Sequence, residues 1–179
     1  MAAITGLTIE DFENLPDERA HYHELVDGEL VDVSGNTGGH NRLRDGIVIQ
    51  LGPYVREHKL GLVVSEQEYQ FGRNAHGPDV SFLGPAKAEI FDNRLRVQRF
   101  VPDLAVEIAS ANDRLESLLA KAYRYRDCGT EGVYVFSIAT RQILVCSQYP
   151  LTALGENQEF RPEQIPGFSI RISDLLALM

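Results

Sequence analysis

The sequence predicts an α/β fold: a central mixed β-sheet with helices on both sides, extended at its N-terminus by a β-hairpin. Three observations predict it. Asp27-Gly28 stands between apolar runs and is a residue pair suited to a type I′ turn. Residues 77–83 and 101–109 are short strand-like runs that carry acids among apolar residues. Residues 113–128 have helical spacing and are followed by two more strand-like runs, so antiparallel strands give way to strand–helix–strand.

In chain order, Thr8 can cap a short helix over 9–14, which Pro16 ends. Residues 22–33 form the hairpin and 34–39 a polar, glycine-rich loop. Leu43, Ile47, Leu51, Tyr54 and Val55 recur at helical spacing and predict a helix over 40–58. Gly46, Gly52 and Pro53 would kink or shorten it. Strands are expected over 62–71, 78–83 and 101–109. The next helix buries a stripe of Leu115, Leu118, Leu119, Ala122 and Tyr125. Asn112 or Asp113 can cap it, with Glu116 completing a capping box after Asp113, and Gly129 is placed to end it. Strands follow over 132–137 and 142–147, then a turn-rich stretch. Ser173 could cap a last helix over 174–178.

Length and composition bound the function. At 179 residues and 44% apolar content the chain is expected to form a single domain over 1–179. No apolar run is long enough to span a bilayer and no signal pattern opens the chain, so no membrane partner is expected and the cytoplasm is the default compartment. The two cysteines, Cys128 and Cys146, match no metal-ligand spacing. A formal charge of −9 argues against non-specific nucleic-acid binding. Any such contact must be local. The candidate basic clusters are Arg94, Arg96 and Arg99, and Arg114, Arg124 and Arg126.

Side-chain parity decides which acids can meet. In 101–109, Leu104, Val106 and Ile108 share one face, and Asp103, Ala105, Glu107 and Ala109 share the other. Asp103 and Glu107 lie about 13 Å apart along the strand, too far to ligate one ion. A partner on an adjacent strand, about 4.8 Å away, is near enough. Asp79 is the best such residue, because Val80 and Phe82 would point to the core while Asp79 and Ser81 point away. Hard oxygen ligands, with no histidine or thiolate expected nearby, favour Mg²⁺ or Mn²⁺, and the Ile108 carbonyl could add an oxygen. Lys121 borders the buried stripe of its helix and can lean toward Glu107, to orient a water or stabilise charge on a phosphate.

Plainer readings stand beside these. Asp79 and Asp103 follow prolines at strand starts, where acids often only solvate an edge. Glu107, late in an apolar strand, needs a partner, and an ion pair with Lys121 or an arginine would serve. Lys121 could snorkel. Glu24 could be hairpin surface. His40 is expected to be exposed near a helix start. Glu66 and Glu68 share a strand face and could line a cavity or face water.

These residues resemble the Uma2 family of restriction-endonuclease-like proteins, within the PD-(D/E)XK nuclease superfamily. Tyr22-His-Glu-Leu-Val-Asp-Gly-Glu-Leu-Val31 resembles that family's tyrosine-glutamate-leucine hairpin, with His23 inserted before Glu24. His40 resembles the histidine that opens its next helix. Pro78-Asp79-Val80 and Pro102-Asp103-Leu104-Ala105-Val106-Glu107-Ile108 resemble its acid-bearing strands, and Lys121, with Tyr125 and Gly129 beyond it, matches its spacing. The resemblance implies a restriction-endonuclease-like fold with Asp79 and Glu107 as metal carboxylates. Lys121 would replace the usual lysine two positions after the glutamate, where Ala109 stands, and Glu24 would be an accessory acid. Ser110-Ala-Asn112 and Ser137 depart from the family pattern, and neither removes a ligand. The implied function is a Mg²⁺-dependent endonuclease acting on DNA, with a homodimer plausible for cutting two strands. Two alternatives stay open: a nuclease-fold protein that binds without cutting, and a metal-dependent hydrolase of a small phosphate-bearing substrate.

Overall fold

A computed structural model describes residues 6–16, 19, 22–33, 36–109 and 113–179. Thr8 opens the first helix, α1 (Ile9–Glu13), through a full capping box with Asp11. Strands β1 (His23–Val26) and β2 (Glu29–Asp32) make the expected hairpin, with Asp27 and Gly28 both at positive φ as a type I′ turn requires. Helix α2 (Gly38–Glu57) starts at the Thr37 cap and runs unbroken through Pro53. Pro53 lies on the exposed face, where the carbonyl it frees four residues earlier can reach water.

The expected strand over 62–71 is two strands, β3 (Leu62–Ser65) and β4 (Glu68–Phe71), in different sheets. Glu66 turns the chain at φ +54°, so Glu66 and Glu68 share no strand face. Then come β5 (Asn74–His76), β6 (Val80–Leu83), a short α3 (Pro85–Glu89), β7 (Val97–Gln98) and β8 (Leu104–Ala109). Helix α4 (Leu115–Asp127) begins at Arg114 with no side-chain cap. The Asp113 capping box is therefore not formed, and Asn112 and the Ser110 loop lie outside the described residues. Gly129, at φ +104°, ends this helix as expected. Leu115 is exposed in the first turn, before the helix settles on the sheet, while Ala122 and Tyr125 are fully buried. Strands β9 (Gly132–Ser137), β10 (Gln142–Val145), β11 (Thr152–Gly155), β12 (Glu159–Phe160) and β13 (Ile170–Arg171) follow. The last helix, α5 (Ile172–Leu176), starts at Arg171, which places Ser173 inside its first turn and not at its cap.

The larger sheet is mixed, in the order β11-β10-β9-β8-β6-β3, with β8 antiparallel to β6 and parallel to β9. The parallel step is crossed by α4, the arrangement that a strand–helix–strand unit imposes. Parity in β8 is as read. Leu104, Val106 and Ile108 join Val80, Phe82 and α2 in one core, while Ala105 and Ala109 face α4 in a second. A smaller sheet, β2-β1-β5-β4-β7, holds the hairpin and leans on the second core through Tyr69 and Phe71, whose ring stacks on Tyr125 with centroids 4.2 Å apart. The two sheets thus meet over α4 and enclose a cleft.

Gly61 makes the turn into β3 possible. It sits at φ +139°, and a Cβ there would lie 1.9 Å from the Leu83 carbonyl oxygen. Gly61→Ala is expected to lose about 3 kcal/mol in urea unfolding, since the backbone it strikes belongs to the sheet. Gly52→Ala in α2, where a Cβ meets nothing within 4 Å, should instead be neutral or gain about 0.5–1 kcal/mol.

Candidate active site

The acid-bearing strands meet because of register. Val80 faces Val106 and Ser81 faces Ala105, so one further step sets Asp79 opposite Glu107. Asp79 is 8% exposed and Glu107 4%. Asp79 Oδ2 accepts the Ile108 N–H at 2.7 Å, taking the place that a ladder partner would hold. The Ile108 carbonyl leaves the strand on that same edge. Asp103, by contrast, lies away from this group, accepting the Gly84 N–H at 2.7 Å and pairing with Lys87.

Lys121 reaches in from α4. Its Nζ lies 3.0 Å from Glu107 Oε1 and 2.8 Å from Glu24 Oε1. The Tyr125 hydroxyl, one turn later, donates to the same Glu107 oxygen at 2.7 Å. Glu24 is only 5% exposed, so the hairpin-surface reading is corrected. Its carboxylate also accepts the Gly77 N–H at 2.9 Å and His76 Nδ1–H at 2.8 Å. Arg124 donates to His76 Nε2 at 2.9 Å, which fixes the neutral tautomer of that ring.

Two histidines therefore stand where none was expected. His40 is 3% exposed, not a surface residue, and its Nε2 lies 2.8 Å from Asp79 Oδ1. His76 has both ring nitrogens engaged and His40 its Nε2, so both rings orient the acids, while His40 Nδ1 is buried without a hydrogen-bond partner. His76 and Tyr125 carry no local sequence signal as site residues. His76 ends a three-residue strand too short to show alternation, and Tyr125 reads as ordinary core.

Burial pushes Glu107 up to about 7, and the charges of Asp79 and Glu24 add to the rise, against partial opposition from Lys121 and Tyr125. Burial also works against ionisation of Glu24, but Lys121 and His76 outweigh it and hold Glu24 at about 2. Burial disfavours the Lys121 ammonium, yet Glu107 and Glu24 keep it protonated well above its ordinary range. For His40 the hydrogen bond and charge of Asp79 overcome burial and raise its value, whereas burial keeps His76 low.

Such a group fits a hard divalent cation. Two carboxylates occupy facing positions, and a cation would offset the charges of Asp79 and Glu24 that add to the effect of burial on Glu107. Among the described residues no three His, Cys, Asp or Glu side chains form a metal-binding group, so the protein would supply two carboxylates and a carbonyl. All four side chains, Glu24, Asp79, Glu107 and Lys121, line a cleft of about 1360 Å³.

The family model of Uma2, described as "Putative restriction endonuclease", matches residues 9–173. The chain belongs to the Uma2 family. Its fold is also that of a solved relative described as a putative nuclease of the DUF820 group from Anabaena variabilis. The two are 17% identical and superpose with a TM-score of 0.84 over 96% of this chain and 98% of that one. No curated protein matches the chain. As a Uma2 protein it has the nuclease-like fold that the resemblance implies, and among its described residues no helix is long and apolar enough to cross a membrane.

The arginines complete the picture of the cleft. Arg44 pairs with Glu66, Arg96 with Glu68, and Arg124 with His76 and Asp27. Outside the cleft, Arg94 pairs with Asp92, Arg99 with Glu13, and Arg126 with Asp127. Arg114, exposed in the lining of the cleft, makes no such pair among the described residues, and the other arginines of the candidate basic clusters are answered by neighbouring groups.

Proposed function

We propose that this Uma2 protein is a metal-dependent endonuclease that hydrolyses DNA phosphodiester bonds. The observation that carries the reading is the facing of Asp79 and Glu107 with Lys121 Nζ 3.0 Å from the latter. Mg²⁺, or Mn²⁺, would be held by Asp79, Glu107 and the Ile108 carbonyl. When bound it lowers the pKa of a water and polarises the phosphate. Water adds to phosphorus, the P–O bond to one sugar breaks, and the leaving oxygen takes up a proton. Lys121 orients that water or stabilises the charge gathered on the phosphate. Glu24 keeps Lys121 charged and aimed, and His40 and the Ile108 N–H hold Asp79 in place. A homodimer would bring two such sites to the two strands of a duplex. The free thiols, Cys128 exposed and Cys146 buried, support a reducing compartment such as the cytoplasm.

One observation favours a second reading. Glu107, Lys121 and Tyr125 satisfy one another without any ion, as a purely structural network would. Calorimetry and cleavage separate the two. Mn²⁺ is expected to bind the wild type and to give no heat with Glu107→Ala. Circular DNA, supercoiled or single-stranded, should be opened with Mg²⁺ or Mn²⁺ and left intact in EDTA. Mn²⁺ binding without cleavage of either circle would favour a binding protein or a hydrolase of smaller phosphate esters.

A further inference from the structure

The hairpin face that carries Glu24 also carries an exposed apolar platform. Glu24 faces Val31 across the β1–β2 ladder, and the Val33 N–H donates to the Tyr22 carbonyl at 2.8 Å, which extends the pairing one step. Val33, two residues after Val31, lies about 7 Å beyond it, and Tyr22 stands beside Val33 at the end of the ladder. Tyr22 is 62% exposed, and Val31 and Val33 are exposed with it. All three line the same cleft as Asp79, Glu107 and Lys121. Tyr22 is held at φ +63°, a conformation uncommon for a residue with a bulky side chain.

Charge points the same way. A duplex presents two phosphate strands and rewards a broad cationic surface. Among the described residues of the cleft, Arg44, Arg96 and Arg124 already answer acids or a histidine while exposed Arg114 does not, and the chain carries −9 overall. A single such arginine is a narrow cationic surface, and beside it the cleft offers an exposed aromatic ring with two exposed valines. Aromatic side chains that stack unpaired bases supply affinity independent of sequence. In a duplex those base faces are already stacked on their neighbours.

We propose that the cleft takes an unpaired DNA strand, one base stacking on Tyr22 over Val31 and Val33 while the adjoining phosphate lies at Lys121. This rests on the nuclease reading for the fate of the phosphate, but not for the stacking. One site then suffices for one strand.

Fluorescence anisotropy with Ca²⁺ in place of Mg²⁺ tests it, using a labelled short oligothymidylate, its abasic counterpart and a duplex of equal length. The oligothymidylate should bind at least about tenfold more tightly than the other two. Tyr22→Ala should weaken it by roughly tenfold or more, and Tyr22→Phe, which keeps the ring, should not. Equal binding of the abasic strand, no binding of any probe, or an unchanged Tyr22→Ala would overturn the proposal. So would a change in oligomeric state with Tyr22→Ala on gel filtration, which would make this face a contact between copies. Cleavage of duplex alone in Mg²⁺ sinks the unpaired-strand proposal and spares the nuclease. Base-dependent binding through Tyr22, with no cleavage of any DNA, does the reverse.

Discussion

Lys121→Met is expected to destabilise the protein by about 3–5 kcal/mol in urea unfolding, because it leaves Glu24 and Glu107 buried without their shared cation. Each carboxylate lies within 3.0 Å of the ammonium, and Asp79 stands opposite Glu107 on the next strand. Glu107 should answer by holding its proton to still higher pH. The same change separates the two jobs of the lysine. With the competing positive charge gone, the carboxylates should bind Mn²⁺ more tightly in calorimetry. Cleavage at saturating Mn²⁺ should nonetheless fall by about 10²–10³-fold, the usual cost of losing one fixed charge stabiliser. Tighter binding with undiminished cleavage would show that Lys121 takes no part in the reaction. Adding Glu107→Gln to Lys121→Met should recover much of the lost stability, since one buried charge is then removed.

Glu107→Gln alone should change how stability depends on pH. A carboxyl raised from 4.5 to about 7 by folding contributes its full stability below 4.5 and loses it as pH rises through about 7. With EDTA present, the variant should therefore gain on the wild type steadily between those limits, by about 3 kcal/mol in all. His40, also raised, loses stability in the same direction. His76, kept low, works the opposite way below its ordinary value, and Glu24 loses its contribution only as pH falls toward about 2. Comparing variant with wild type cancels these three to first order. Unfolding curves at a series of pH values provide the check, and a difference that stays flat would mean that Glu107 is ionised throughout.

Much of the fold is legible where the signal is local. Asp27-Gly28 marks its turn, Thr8 its cap and Gly129 its helix end, and alternation in β8 sorts Glu107 from Val106 and Ile108. That Asp79 and Glu107 face each other follows from the same parity once the strands are taken as neighbours. The hidden parts depend on contacts far apart in sequence. His76 meets Glu24 across 52 positions and His40 meets Asp79 across 39, and no periodicity within either segment foretells such pairs. A single left-handed residue, Glu66, divides what reads as one strand and sends its halves into separate sheets. The Leu115 stripe fails for a related reason, since amphipathic spacing cannot say how far a helix overhangs the sheet beneath it.

The acid that steers Lys121 and the acids that face each other belong to different sheets. Glu24 rides on the small hairpin sheet, while Asp79 and Glu107 are fixed by the large one. A lineage could thus remodel the outer hairpin, with its tyrosine and valines, while the large sheet keeps the carboxylate pair in register. Recognition and chemistry are housed in separately adjustable parts, and new preferences could arise by exchanging a dozen residues near the N-terminus.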